Sequence, residues 1–503
     1  MLLNHEVLSG LKGDVLISSV LKQFQLPNVE IKPVLERLLS SGADWAEVYF
    51  EDRHMNRMVF ENQKIGDILQ GQDRGCGLRL IYEGKTIFGH TTDLSQVALE
   101  RLASELASGV PSRSEKKISN LRKVEWRSQK HEGLIKDEAV LIDPLTVPLE
   151  EKLENLKRAD RFARDQIEDL VQVTAIHMDS KRNICVFNSD GLVTLDSKTY
   201  SHFVVELVAK SEGRMETGFH SNGGFIGYEF YKEHPVESLV GEAVSQLKVL
   251  LTAIPAPSGT LPVVISAEAG GTMIHEAVGH GLEADLACDG LSVYQKKIGQ
   301  KVASSKITVL DDGTMPGKRG SYRFDDEGTP AKKNVLIENG VLKSYMVDRL
   351  SAMKYDIPAT GNGRRETFRH RPIVRMTNTY IAPGTDDPAQ ILADTPYGLF
   401  VKKMGGGQVN TVTGDFVFAV TEGYLIRDGK LAEAVRGATL VGNGPNVLAT
   451  VDRVGTDLGF ATGTCGKSGQ GAPVTDAQPT LRIPAMTVGG EVPVSDYFGD
   501  FLA

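Results

Sequence analysis

Residues 236–251 read VESLVGEAVSQLKVLL, and they decide how the rest of the chain divides. Val236, Leu239, Val240, Ala243, Val244, Leu247, Leu250 and Leu251 recur at helical spacing, so the stretch predicts an amphipathic helix with one apolar face. Pro255, Pro257 and Gly259 end it, and LPVVIS (261–266) follows as a strand. A domain boundary is expected just before this helix, giving units of residues 1–232 and 233–503.

Upstream, KPVLERLLSSG (32–42) carries a helical pattern closed by glycine, and AEVYFED (46–52) alternates as a strand does. GCGLRLIYEGKTIFGHT (75–91) reads as a hairpin turning at Glu83-Gly84-Lys85. A helix is predicted over 94–108, with Val97, Leu99, Leu102, Leu106 and Val110 on one flank, and the charged stretch 111–148 has no period. PLEEKLENLKRADRFARDQI (148–167) is a further amphipathic helix, and at least three strands are expected within 170–210. The first unit is thus α+β with an antiparallel sheet. Downstream, short strands alternate with turns such as DDGT (311–314), ENG (338–340) and RDG (427–429), so the second unit is expected to be mostly β with a helix carrying two histidines.

The 503 residues suffice for more than one core, and hydrophobic and charged fractions of 41% and 24% are those of a globular protein. A net charge of -9 argues against nucleic-acid binding, which needs cations to displace phosphate counterions. Four cysteines without paired spacing (Cys76, Cys185, Cys288, Cys465) point to a reducing compartment, and the N-terminus has no signal-peptide pattern. No stretch approaches the roughly 20 apolar residues of a spanning helix. A cytoplasmic protein without membrane contact is expected.

Chemistry concentrates in His275-Glu276-Ala277-Val278-Gly279-His280. Zinc peptidases pair two histidines four residues apart on a helix with a glutamate base beside the first. Here the spacing is five. On a regular helix that turns the second side chain about 140° from the first, so both reach one ion only across a distortion. Gly279 is the expected place for a π-bulge or for the helix to end.

A catalytic zinc site keeps three protein ligands, and the third could be Glu283, Asp285 or a distant cysteine. Cys465 in GTCGKSGQG has the small neighbours that let a thiolate approach an ion, whereas Cys76, Cys185 and Cys288 read as packing. Residues 461–468 also fit a loose phosphate-loop pattern, but GQGAPV cannot open the helix such a loop requires. Arg364, Arg365, Arg369, His370, Arg371 and Arg375 form a cationic stretch expected mainly to pair with acids such as Asp325-Asp326-Glu327.

The run MIHEAVGHGLEAD (273–285) resembles the metallopeptidase family of TldD and its paralogue PmbA, also called TldE, long labelled modulators of DNA gyrase. DDGTMPGKRGSYRFDDEGTP, NVLIENGVLKSYM, ATGNGRRETF, RMTNTYIAPG, GGGQV and TCGKSGQ are similar to that family's motifs in the same order. TldD-type chains carry the His-Glu-x-x-x-His motif and PmbA-type chains lack it, so the resemblance is to the catalytic side. It implies zinc on His275, His280 and Cys465, Glu276 as general base, and peptides or unfolded polypeptides as substrates. It also implies a homodimer, or a heterodimer with a PmbA/TldE-type paralogue. The competing reading is a non-catalytic regulatory or binding subunit, against which the intact motif weighs. The tail EVPVSDYFGDFLA (491–503) extends beyond the family pattern, to pack on a partner or remain disordered.

Overall fold

A computed structural model of the chain describes residues 13–110, 126–128, 140–211 and 213–502. Among them, the first unit is built on a seven-stranded sheet whose long strands Lys64–Tyr82, Trp45–Glu61, Leu170–Asn188 and Leu192–Ser211 lie side by side and antiparallel. The hairpin expected at 83–85 turns on Glu83 and Gly84, both at positive φ (49° and 68°), the backbone that a tight two-residue turn demands. Residues 170–211 form two long strands rather than three, because the alternating pattern continues on both sides of the turn near Gly191.

The alternation in WAEVYFE sets the architecture. Ala46, Val48 and Phe50 face an apolar layer with helices Ile31–Leu39 and Gln96–Ser108, sharing a core with Val34, Leu35 and Leu99. Glu47, Tyr49 and Glu51 lie on the other face, yet all three are buried, because the second unit covers them. Of the flank expected on 94–108, Leu99 and Leu106 are buried while Val97 is exposed. The helix Leu149–Gln166 matches its expected span, and most of 111–148 lies outside the described residues.

The helix Val236–Thr252 packs Val236, Leu239, Val240, Ala243, Val244 and Leu247 against Ala175, Phe203, Val205 and Leu207 of the first sheet. A dividing line ahead of residue 233 would part this helix from the sheet it covers. The second sheet opens after it, at Pro257–Ile265.

That second sheet closes on itself. Pro257–Ile265 pairs Leu481–Gly489, which pairs Thr439–Asn443, then Asp415–Arg427, then Tyr397–Val409, which returns to Pro257–Ile265. Ile274, Val278 and Leu282 share one core with Val263, Leu399, Phe418, Leu440 and Leu481 of this ring. A six-stranded sheet stands beside it and ends in the hairpin of Gly459–Lys467 and Gln470–Gln478. The tail forms a helix, Val494–Leu502, that packs on its own chain: Phe498 is buried, the Tyr497 hydroxyl donates to the Pro255 carbonyl (2.7 Å), and Arg427 donates to the Tyr497 carbonyl (2.8 Å). Among the described residues no helix is long and apolar enough to cross a membrane.

Buried ions join the two units. Arg79 bridges Glu47 (3.2 Å) and Glu327 (2.5 Å), Arg365 also grips Glu47, Arg323 meets Asp196 at 2.8 Å, and Lys198 meets Asp326 at 2.8 Å. Burial opposes the Asp326 charge, but Arg182 and Lys198 outweigh it and hold the carboxyl well below its usual range. Asp326→Asn leaves Lys198 without its carboxylate in a buried interface, and urea unfolding should show a loss of about 3–5 kcal/mol. A loss below about 1 kcal/mol would mean that the pair is not what docks this face.

Candidate metal centre

The strand Pro257–Ile265 delivers the chain to Gly270 and Gly271, where two strands of the neighbouring sheet press close. A Cβ on Gly270 would sit 2.3 Å from Ala461 Cβ, and one on Gly271 would sit 2.3 Å from the Ala477 nitrogen. Only glycine permits that approach, which brings the Gln470–Gln478 strand onto the start of the helix. Helical turns begin at Thr272, and the His275 N–H donates to the Gly271 carbonyl, four residues back, at 2.9 Å.

The next hydrogen bond is different. The His280 N–H donates to the carbonyl of His275, five residues back, so His275–Gly279 forms one π-helical turn. The extra residue widens the turn and brings the second imidazole round to the first, with ring centroids 5.0 Å apart and planes at 88°. The distortion expected at Gly279 is this turn. Gly279 is held there by packing: a Cβ would lie 2.0 Å from the sulfur of buried Met376.

Cys465 approaches from the hairpin, its Sγ 3.4 Å from His280 Nε2. One donor atom each from His275, His280 and Cys465 lies within 4.8 Å of the others. Nitrogen and sulfur at about 2.1 and 2.3 Å from one tetrahedral ion stand about 3.6 Å apart, so the observed edge fits a metal. The hydrogen-bond pattern fits too. His275 Nδ1 contacts Asp476 Oδ1 at 2.7 Å and His280 Nδ1 contacts Glu283 Oε2 at 2.9 Å, which orients both rings and leaves each Nε2 for an ion.

The electrostatics follow from this packing. Burial opposes the imidazolium of His275, but Asp476 and Cys465 prevail and raise it well above the usual histidine value. Burial likewise opposes a charged His280, which Glu283 and Cys465 nonetheless raise to about 9. Burial works against the Cys465 thiolate, yet the two imidazoles bring the thiol down to about 5. The thiolate is therefore the prevailing form at neutral pH, and a cation entering the cluster would displace the imidazole protons. Glu276 is half-buried, and burial raises its carboxyl despite the nearby histidines.

Glu283 and Asp285, the other candidates for third ligand, are engaged elsewhere. Lys467 meets Glu283 at 3.0 Å and both Asp285 oxygens at 2.7 Å. Although burial opposes its charge, Lys467 and His280 hold Glu283 down at about 2. The lysine that suggested a phosphate loop is thus a clamp between the hairpin and the histidine helix, and strand rather than helix follows it. Asp476 and Lys467 escaped the sequence reading as members of the site. The only sequence signal was the two-residue strand period, which sets Cys465, Lys467, Val474 and Asp476 on one face of the hairpin.

Arg375 grips the Cys465 carbonyl and donates to the Gln470 carbonyl at 3.0 Å, fixing the strand that carries the thiolate. Arg364 donates to the Met376 and Pro473 carbonyls at 2.5 and 2.7 Å, and Arg369 pairs with Asp73. Of the expected acidic run, Asp326 receives the Arg365 backbone N–H (2.9 Å), while the Arg365 guanidinium reaches Glu47. Cys76 and Cys185 are buried in the first unit's core, and Cys288 packs on the second unit's core.

Residues 46–109, 142–251 and 258–490 match, in turn, PmbA/TldA metallopeptidase domain 1, central domain and C-terminal domain. The chain is 35% identical to a "Metalloprotease TldD homolog" of Buchnera aphidicola over 95% of its own length and 99% of the relative's. It is 24% identical to a "Zinc metalloprotease TldD homolog" of Saccharolobus solfataricus, over 90% of this chain and 98% of that one. The crystal structure of TldE from Thermococcus kodakarensis has the same fold, with a TM-score of 0.70 at 18% identity over 89% of this chain and 97% of that one. With three matched segments in order and a relative aligned almost end to end, the chain belongs to the PmbA/TldD metallopeptidase family.

Proposed function

We propose that the chain hydrolyses peptide bonds at a zinc ion held by His275, His280 and Cys465. The observation that carries this reading is the convergence of those three donors across the π turn, with both histidine Nδ1 atoms already bound to carboxylates. A zinc ion supplies Lewis acidity at such a site. The zinc named for the Saccharolobus solfataricus relative supports the choice of metal.

Glu276 is the general base in this reading. It adjoins His275, and among the described residues no hydrogen bond or ion pair occupies its carboxylate. Burial raises its pKa toward the range in which a carboxylate both accepts a proton from water and returns it to a leaving amine. Asp476 and Glu283 keep the imidazoles oriented, and Lys467 keeps Glu283 in place. Beyond Val401 the strand Tyr397–Val409 loses its pairing with Pro257–Ile265, which leaves the edge through Gly405-Gly406-Gly407 open to an extended peptide. Backbone pairing of that kind favours unfolded polypeptides over particular side chains. A two-subunit assembly, with a TldE-type paralogue or a second copy, is part of the proposal, supported by the shared fold of TldE.

Three substitutions test the reading, with zinc measured by elemental analysis and cleavage on an unstructured peptide, alone and with a co-expressed paralogue. Glu276→Gln should keep its zinc and lose about 10²–10⁴-fold in rate; undiminished cleavage would remove Glu276 as base. Cys465→Ala should purify with zinc depleted, and a full complement of metal would exclude the thiolate as ligand. Asp476→Asn should bind zinc about 10–100-fold more weakly, read by competition with a chelator. An unchanged affinity would show that the His275 contact does not tune the site.

A further inference from the structure

A polar cavity of about 190 Å³ lies between the two units on the far side of the hairpin from the histidines. Strand alternation separates the two places. Cys465 reaches His280 on one face, while Thr464 accepts a hydrogen bond from Arg319 Nη2 (3.3 Å) on the other. The cavity wall carries six cations: Arg53, Arg182 and Lys198 from the first sheet, and Arg319, Arg364 and Arg365 from the second unit.

Three of these have acids of their own. Arg182 meets Glu51 at 2.9 Å, Lys198 meets Asp326 at 2.8 Å, and Arg365 grips Glu47. The other three make no ion pair among the described residues, although Glu51, Glu366 and Asp73 act on Arg53 from a distance. Arg319 donates to the Gly463 carbonyl and Thr464 hydroxyl, Arg364 donates to two backbone carbonyls, and the Arg53 side chain makes no hydrogen bond among the described residues. Carbonyls satisfy donor geometry but do not neutralise a guanidinium. Of the lining carboxylates, Glu366 has no cation in direct contact; it acts on Arg53 from a distance and accepts the Gly471 N–H at 2.7 Å. Buried nitrogens of two further lining arginines, Arg182 Nε and both Nε and Nη1 of Arg365, also lack hydrogen-bond partners. Burial, then the charges of Arg364 and Arg53 against a contribution from Tyr200, lowers Arg319 to about 10, as expected where cations crowd without enough anions.

We propose that this cavity is a binding site for a small oxyanion, a carboxylate or phosphate group, held by Arg53, Arg319 and Arg364. Guanidinium forks suit both groups, and a ligand there would tie the first sheet to the outer face of the Cys465 hairpin. The oxyanion has two possible sources, a free anion or the C-terminus of a bound peptide, and neither needs contact with the metal donors.

Inorganic phosphate titrated into the full chain, against sodium chloride at matched ionic strength, should raise the thermal midpoint. Arg319→Gln should weaken that apparent affinity about tenfold without changing the circular-dichroism spectrum. If a peptide C-terminus is the source, a peptide with a free carboxylate should bind by fluorescence anisotropy about tenfold more tightly than its amidated twin, and Arg319→Gln should erase the difference. Binding rather than cleavage is read, so failure of the peptidase proposal leaves the result interpretable. Should Arg319→Gln not fold, Arg53→Gln, at a half-buried strand position, carries the same comparison. No phosphate effect beyond chloride together with equal binding of the two peptides overturns the site, as does a phosphate effect that both variants retain.

Discussion

Two imidazoles five residues apart share a target only if the backbone between them takes up an extra residue, and the hydrogen bond from the His280 N–H to the His275 carbonyl is where it does so. A lone π turn is a poor local minimum, so the surroundings have to impose it. Met376 fills the space a side chain at Gly279 would need, and Gly281 is likewise pressed by Tyr294, where a Cβ would lie 2.7 Å from the ring. Ile274 and Val278 are locked in the ring's core. The turn is thus set by tertiary packing, and the donor geometry follows from it.

The same logic holds at the larger scale. One strand, Trp45–Glu61, is buried on both faces, by helices through Ala46, Val48 and Phe50 and by the second unit through Glu47, Tyr49 and Glu51. The second interface is ionic, and buried ion pairs contribute more to orientation than to net stability. Each carboxylate accepts only a donor correctly placed around it. Arg79 between Glu47 and Glu327 therefore fixes how the first sheet meets the loops leading to Arg364 and Arg375, the residues that hold the hairpin of Cys465.

Much of this was legible in the sequence, for reasons that differ by element. The helices 149–166 and 236–252 and the hairpin at 83–84 were readable because their signals are local: period, proline and glycine. His275, Glu276 and His280 announced themselves by proximity, and the need for a distorted turn followed from helix geometry alone. Cys465 needed the family resemblance, since nothing in composition chooses among distant donors. Asp476 was not visible because its role depends on which strand lies against the Gly270-Gly271 step, a long-range register that no local pattern encodes. Lys467 was misleading for the same reason: next to Gly466 it suggests phosphate, and only the fold brings Glu283 and Asp285 to it. Residues 170–211 hold two long strands where at least three were expected, because Leu170–Asn188 runs on through polar residues such as Ser180 and Arg182, where the second unit covers that face of the sheet.

The separation of the donors along the chain bears on how such a protein is made. The histidine pair leaves the ribosome 185 residues before Cys465, and the hairpin bearing the thiolate joins the sheet through its second strand, Gln470–Gln478, by parallel pairing with Asn378–Ile381, a connection that forms only after both segments exist. A nascent chain stalled before that point carries two donors and no third. The strand Leu481–Gly489, which closes the ring around the histidine turn, is made later still, so the third donor and the scaffold that imposes the turn are completed together at the end of synthesis.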